Sequence, residues 1–367
     1  RKFSMKQNKY SDYKIFAFPE KVQSFRERVL TAPIYVRIKP INRCNHACHW
    51  CVYSDGTLRP KDRPDKHLKA GMHETMQEQD IMPTEAALGL LDDLANIGTK
   101  AVTFSGGGEP LLHKDIAYIM QRTLDNNIAL SIITNGQLLQ GERAEILAKA
   151  KWVRISMDYT SEKQMVESRN VPGRFFTGVL DNIANFAKIK NADSDLGINF
   201  IITRDNHEGI VDFAKRLKDC GVENVRFSPV YVSNFKEYHT PIAGRVVEQL
   251  LECQSFCDDN FSINTTYDLD SPSKSPVRPF NRCLYAQTTC VVGADLNIYA
   301  CHNTAYSKHG LIASIKDRKF SDAWFSDEVR EWHNKFKPCN VCHHECANHN
   351  KVALYDKLAT DSYDAFV

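Results

Sequence analysis

Between about residue 34 and residue 230 short apolar, β-branched runs alternate with longer amphipathic ones, and this alternation restricts the fold more than any other feature. Runs 34–38, 101–105, 129–134, 152–157, 198–202 and 225–228 read as strands. Runs 84–97, 115–126, 142–149, 178–190 and 209–218 read as helices. In the first of these Ala87, Leu88, Leu91, Leu94 and Ala95 share a face; Thr84 caps it after Pro83 and Gly98 ends it. Strands and helices in strict alternation call for a parallel sheet with helices outside. A closed eight-unit barrel needs about 250 residues, so the class predicted is α/β, a partial (β/α)6 TIM-like barrel.

After residue 235 the pattern changes. A helical run, 242–257, leads to a turn-rich stretch with prolines at 272, 276 and 279, then to a cysteine-rich segment, 283–346. The division predicted is an extension over 1–33, the barrel over 34–235, a helix and linker over 236–280, a small metal-dependent domain over 281–350, and a helical tail over 351–367. Within the barrel, 53–80 is a long polar loop bearing Lys61, Arg63, Lys66 and Lys69 against Asp62 and Asp65, a length that is often functional.

Composition matters here mainly through sulfur. Twelve cysteines in 367 residues is dense for a chain of this size, and nine of them fall at 44–51 and 283–346. Short spacings favour metal ligation over disulfides. Residues 1–10 are polar and basic with no apolar core of a signal peptide, and no stretch approaches the roughly 18 apolar residues of a spanning helix. The reading is a chain of the reducing cytoplasm. A net charge of +2 gives no field for nucleic acid or an anionic membrane.

The first cysteine run, Cys44-Asn45-His46-Ala47-Cys48-His49-Trp50-Cys51, follows the first strand. Three thiolates can hold a four-iron cluster and leave one iron open. The alternative is a zinc knuckle with His46 or His49, though zinc usually takes two paired cysteine motifs. A second run, Ser105-Gly106-Gly107-Gly108-Glu109-Pro110, ends the second strand; glycines there let backbone approach a ligand or take positive φ. The spacing of the three cysteines, with Trp50 before the last, resembles the signature of the radical S-adenosylmethionine (SAM) superfamily, and Gly107, Gly108 and Glu109 resemble its Gly-Gly-Glu motif. The resemblance implies a 4Fe-4S cluster on Cys44, Cys48 and Cys51 whose open iron chelates SAM. It implies reductive cleavage to a 5′-deoxyadenosyl radical that abstracts hydrogen, fed by a flavodoxin- or ferredoxin-type electron donor. Glu109 would meet the methionine ammonium and Arg169 its carboxylate, with Trp50, Asn135, Ser156 and Asp158 lining the cofactor.

In the distal segment, Cys283 and Cys301 precede Cys339-x2-Cys342-x3-Cys346. The arrangement resembles the twitch domain and, less closely, its larger relative SPASM. Leu296 stands where the SPASM pattern has glycine. The resemblance implies one auxiliary 4Fe-4S cluster on Cys283, Cys301, Cys339 and Cys342, with Cys346 an alternative fourth ligand and Cys290 spare. A zinc ribbon using Cys339, Cys342 and His343 or His344 is the competing reading, and a zinc-binding module without catalysis the non-enzyme one. Either metal makes the segment metal-dependent for folding.

An electron-accepting auxiliary cluster suits net oxidation, so the class read is a radical SAM oxidoreductase. About 33 residues precede the first strand, short for a peptide-leader module, which weighs toward a small carbohydrate-like or nucleotide-like metabolite. A maturase of a ribosomally made peptide, or an epimerase with a cysteine hydrogen donor, are the alternatives. Cys253 and Cys257, as such donors, and Tyr231 are the candidate catalytic residues; a buried cysteine is ordinarily a small hydrophobe.

Overall fold

The computed structural model describes residues 11–53, 73–232, 234–275, 277–342 and 346–360. The basic residues 61–69 of the long loop, and His343 and His344, lie outside them. Helix α1 (Pro19–Glu27) precedes strand β1 (Tyr35–Ile38). There follow α2 (Thr84–Asn96), β2 (Ala101–Phe104), α3 (Ile116–Asp125), β3 (Ala129–Thr134), α4 (Gly141–Leu147) and β4 (Trp152–Ser156). Then come α5 (Glu162–Arg169), α6 (Phe175–Ile189), β5 (Asp195–Ile202), α7 (Ile210–Asp219), β6 (Asn224–Pro229), α8 (Phe235–Gln254) and β7 (Ser262–Thr265).

Strands β1 to β7 lie side by side in chain order and all pair parallel. The six strands read from the sequence are β1 to β6. The seventh falls inside 236–280, the stretch read as helix and linker, so the barrel sheet runs on to Thr265. Its four residues, Ser-Ile-Asn-Thr, carry one buried apolar side chain, Ile263, too little for a period of two to show.

The distal part comprises α9 (Tyr285–Thr288), β8 (Thr289–Val292), β9 (Asn297–Tyr299), β10 (Leu311–Ser314), α10 (Phe320–Trp324), α11 (Asp327–Lys335), α12 (Pro338–Val341) and α13 (His349–Thr360). Strand β8 pairs parallel with β1, and β9 and β10 continue antiparallel, making one ten-stranded sheet. The two parts are thus joined at the open edge of the barrel.

One strand face feeds the core. Val36, Ile38, Val102, Phe104, Ile132, Ile155, Ile198, Phe200, Val225 and Phe227 are fully buried, in one cluster with Leu91 and Leu94 of α2, Ile119 of α3, Ile183 of α6 and Leu217 of α7. Each such side chain contributes about 1.5–3 kcal/mol on burial. Since strand side chains alternate, the opposite face carries Tyr35, Arg37, Thr103, Ser131, Arg154, Ser156, Asn199, Arg226 and Ser228. A packed barrel interior is filled with branched apolar residues; this one is polar and cationic. A short helical turn, Asp12–Ala17, and α13 pack with α1 and α9 at the amino-terminal end of β1 and β8. The carboxyl-terminal end is where such folds bind ligands.

Candidate functional site

At that end the cysteine loop leaves β1 and lies against the glycine run. Gly108 N–H donates to the Ile41 carbonyl and Glu109 N–H to that of Arg43, each at 3.0 Å. A Cβ on Gly107 would stand 2.1 Å from Asn42 Oδ1, and one on Gly108 1.9 Å from the Arg43 carbonyl oxygen. None of Gly106, Gly107 and Gly108 has positive φ. The glycines are therefore needed for the close approach of the cysteine loop itself, a different reason from the ligand approach and positive φ that the sequence suggested.

Glu109 is buried and already well engaged. Oε1 accepts from Thr134 Oγ1 at 2.6 Å and Leu111 N–H at 3.1 Å, and Oε2 accepts from Asn135 N–H at 2.7 Å. A carboxylate has about four lone-pair sites, which leaves room for one further donor such as an ammonium. Burial raises its pKa, while these three donors oppose the rise. Asn135 Nδ2 donates to Asn45 Oδ1, and Asn45 Nδ2 to Gln137 Oε1, tying the end of β3 to the cysteine loop. His46 Nε2 meets the same Gln137 oxygen at 2.8 Å, and burial pushes its pKa down to about 4, so it is a neutral donor.

On the far side, Ala47 and His49 N–H groups donate to the carbonyls of Arg169 and Ser168, which docks the cysteine loop on the end of α5. Arg169 Nη1 donates to Cys48 Sγ at 2.7 Å, and Nη2 bonds Asp158 and, at 3.3 Å, the Ser156 carbonyl. Trp50 Nε1 donates to Asp158 Oδ2 at 3.0 Å, and the guanidinium lies over the rings of Trp50 and Tyr159. Trp50, Ser156, Asp158 and Arg169 are thus brought together. Arg169, given to a methionine carboxylate by the sequence, donates here to Cys48 and Asp158, with its Nε buried and without a partner among the described residues.

Burial pushes Cys44 up to about 12, with Glu109, Cys48 and Cys51 adding and the His46 N–H opposing. Burial pushes Cys48 up to about 11 against the pull of Arg169. Three sulfurs on one short loop, Cys44 lying in the field of the other two, form a donor set that cationic iron would complete. Among the described residues no three Cys, His, Asp or Glu side chains converge as ligands of a single ion.

A second thiol group lies in the distal part. Burial lifts Cys283 well above the ordinary range, with Cys301, Cys342 and Cys346 adding. Burial pushes Cys342 up to about 12, with Cys301 and Cys346 adding, Arg278 opposing and Cys339 a smaller contributor. Cys283, Cys301, Cys342 and Cys346 thus lie within one another's field, and Cys339 within that of Cys342. Cys339, which sequence spacing puts ahead of Cys346, also has Asn281 Oδ1 and Asn340 Oδ1 beside its sulfur. Cys290 is buried on β8 within the main core. Leu296 has φ of +59°, the left-handed backbone that favours glycine, at the position where the SPASM pattern has one.

Cys253 is buried in the core on α8, and Cys257 Sγ reaches the Cys253 carbonyl at 3.5 Å. Neither stands on the polar barrel face, where a hydrogen donor belongs. Tyr231 follows β6 at the mouth and stacks on Phe235. The sequence reading missed Asn45 and Gln137, and also Lys39 and Tyr53, whose side chains bond each other at 2.7 Å. Lys39 had a readable signal: a charge at a strand end immediately before the motif.

Comparison with known proteins agrees with this geometry. The family model described as "Radical SAM superfamily" matches residues 38–217. GTP 3′,8-cyclase of Limosilactobacillus fermentum is 30% identical over 202 residues, 53% of this chain and 53% of that protein. The chain thus spans about half the length of that curated relative. Mycofactocin maturase MftC of Mycolicibacterium smegmatis is 23% identical over 321 residues, 85% of this chain and 74% of that one. The fold matches Streptococcus suis SuiB bound to S-adenosylmethionine with a TM-score of 0.63 at 16% identity, covering 90% of this chain and 74% of SuiB. Matched motif loop, Gly-Gly-Glu strand end and partial barrel coincide in one place, and the chain belongs to the radical SAM superfamily.

Proposed function

We propose that the chain is an oxidising radical SAM enzyme whose substrate is an anionic small metabolite, such as a phosphorylated sugar or a nucleotide, held in the barrel. The observation that carries the chemistry is the loop of Cys44, Cys48 and Cys51, docked between Glu109 and the Arg169–Asp158 pair. A four-iron cluster bound there supplies the electron that splits SAM into methionine and a 5′-deoxyadenosyl radical. Glu109, anchored by Thr134 and Asn135, offers its remaining lone pair to the methionine ammonium. Arg169 keeps Cys48 and Asp158 oriented, and Trp50 and Tyr159 wall the site from water. Cys283, Cys301, Cys342 and Cys346 would hold the auxiliary cluster, which suits removal of an electron from the substrate after hydrogen abstraction.

The substrate class is supported by the barrel interior. Arg37, Arg154 and Arg226 lie on its polar face with Lys14 and Lys351 near them, and these five cations outnumber the acids Asp195 and Asp12 placed against them. Such a surface selects carboxylate or phosphate groups. A peptide substrate is the second reading. It is favoured by the likeness to SuiB, which runs through both parts of the chain and includes a structure bound to its precursor peptide SuiA.

The test is anaerobic incubation of reduced, iron-loaded protein and SAM with phosphorylated sugars, nucleotides and short peptides. Loss of two hydrogens from an anionic metabolite, with 5′-deoxyadenosine formed in step, supports the proposal. Modification of peptides alone refutes the substrate class. An unchanged mass with solvent deuterium uptake refutes net oxidation.

A further inference from the structure

Lys39 has no part in the chemistry above, yet it is wholly buried. It follows β1, with its side chain on the same face as Tyr35 and Arg37. Its own N–H donates to the Val292 carbonyl at 2.9 Å, extending the seam where β8 joins β1. A buried ammonium is costly unless an anion faces it. Among the described residues the hydrogen-bond partners of Lys39 Nζ are neutral: Tyr53 Oη at 2.7 Å and the Gly106 carbonyl at 2.5 Å. It also lies 3.9 Å from the centroid of the Tyr53 ring and 5.8 Å from that of Tyr306.

Residues of both cysteine loops stand around it. Tyr53 stands two residues after Cys51, and its hydroxyl donates to the carbonyl of His302, next to Cys301, at 3.0 Å. Lys39 therefore sits where the two loops meet. Burial pushes its ammonium well below the ordinary lysine range and Arg37 adds to this, while Cys51 and Cys301 pull the other way. Through Tyr53 and His302, one loop of each group is thus brought to its ammonium.

We propose that Lys39 is a counter-cation shared by the two iron–sulfur clusters, placed between them to favour their reduced, more negative states. This rests on the reading above that both cysteine groups hold clusters. A positive charge between two reducible centres raises both reduction potentials and weakens the repulsion between the added electrons. Tyr53 holds the ammonium in place through its hydroxyl and its ring face. Lys39 is a tuning residue, acting through charge without touching substrate.

The experiment is a potentiometric titration of anaerobically reconstituted protein followed by electron paramagnetic resonance, with iron measured alongside. Lys39→Met removes the charge at similar volume, and Lys39→Arg retains it. The expected result is that Lys39→Met lowers both potentials by at least a tenfold change in reduced-to-oxidised ratio, 59 mV for one electron. Lys39→Arg is expected to recover most of that shift. Unmoved potentials in iron-replete Lys39→Met overturn the proposal, as does a shift that Lys39→Arg fails to reverse. If Lys39→Met cannot hold iron, retention by Lys39→Arg with near wild-type potentials supports a need for charge. Loss in both variants makes the role steric and overturns it. A single cluster in the wild-type protein strikes the two-cluster reading instead, which separates that failure from a failure of Lys39.

Discussion

Gly108 shows how a single absent methyl group holds the site together. Its missing Cβ would lie 1.9 Å from the Arg43 oxygen and 2.3 Å from the Arg43 carbonyl carbon. Those are backbone atoms, so the neighbour cannot rotate away. Gly108→Ala is predicted to push the cysteine loop off the glycine run, destabilising the protein by at least about 1–3 kcal/mol and lowering iron retention on reconstitution. Gly89 is the control: it is helical, with open space for 4 Å around the place a Cβ would take, and Gly89→Ala should stabilise by about 0.5–1 kcal/mol. Urea melts of both variants check the pair. The sequence showed that glycines were there and that Glu109 followed. It could not show that the Asn42–Arg43 backbone fills their empty side, because that contact joins two loops far apart in the chain. The same holds for Arg169: a cation near the cofactor was readable, but its grip on Cys48 was not.

At the scale of elements, α5 carries the clearest lesson. It buries only Met165 and Arg169, so no apolar stripe announced it, although its last residues anchor the cysteine loop. Strands β1 to β6 were legible because each turns a run of branched residues to the helices. Strand β7 was not, with one buried apolar residue. The Asp158–Arg169 pair joins the end of β4 to α5, and both side chains are almost fully buried. Arg169→Met leaves a buried carboxylate unpaired, at a cost of about 3–5 kcal/mol. The double variant Arg169→Met with Asp158→Asn should lose less than the two single losses summed, measured as a double-mutant cycle.

Helix α11 makes a prediction about pH. His333 packs edge-on against Trp324 and Trp332, and burial, with Lys21 adding, pushes its pKa down to about 4 from 6.5. The unfolded chain binds this proton more tightly than the folded one. The stability from neutral His333 is therefore complete above pH 6.5 and is lost as pH falls toward 4, by about 2–3 kcal/mol. His333→Leu should flatten that part of the stability–pH curve, read from urea midpoints between about pH 7 and pH 4. A curve of unchanged slope would show that the ring is not held neutral.

The molecule as a whole is organised by the seam at which β8 pairs with β1. Because β8 runs parallel to β1, the loops following these strands emerge at the same end of the sheet. Strand β9 returns antiparallel beside β8, and the loop after it, bearing Cys301, is tied to the one bearing Cys51 by the Tyr53 hydroxyl, which donates to the His302 carbonyl. Spacing alone could not rank Cys339 against Cys346, since that depends on how the chain after α12 folds back: Cys346 N–H donates to the Ser273 carbonyl. The polar barrel face was likewise hidden, because a strand's charged residues reveal a lumen only once neighbouring strands are in register. The central claim is that Cys44, Cys48 and Cys51, set against Glu109 and Arg169, form the SAM-cleaving site. The direct measurement is 5′-deoxyadenosine released from SAM by iron-loaded protein under strong reductant, beside a variant with all three cysteines changed to alanine. Release by the wild type and none by the variant is the predicted result; equal release by both, or none from an iron-replete wild type, would contradict it.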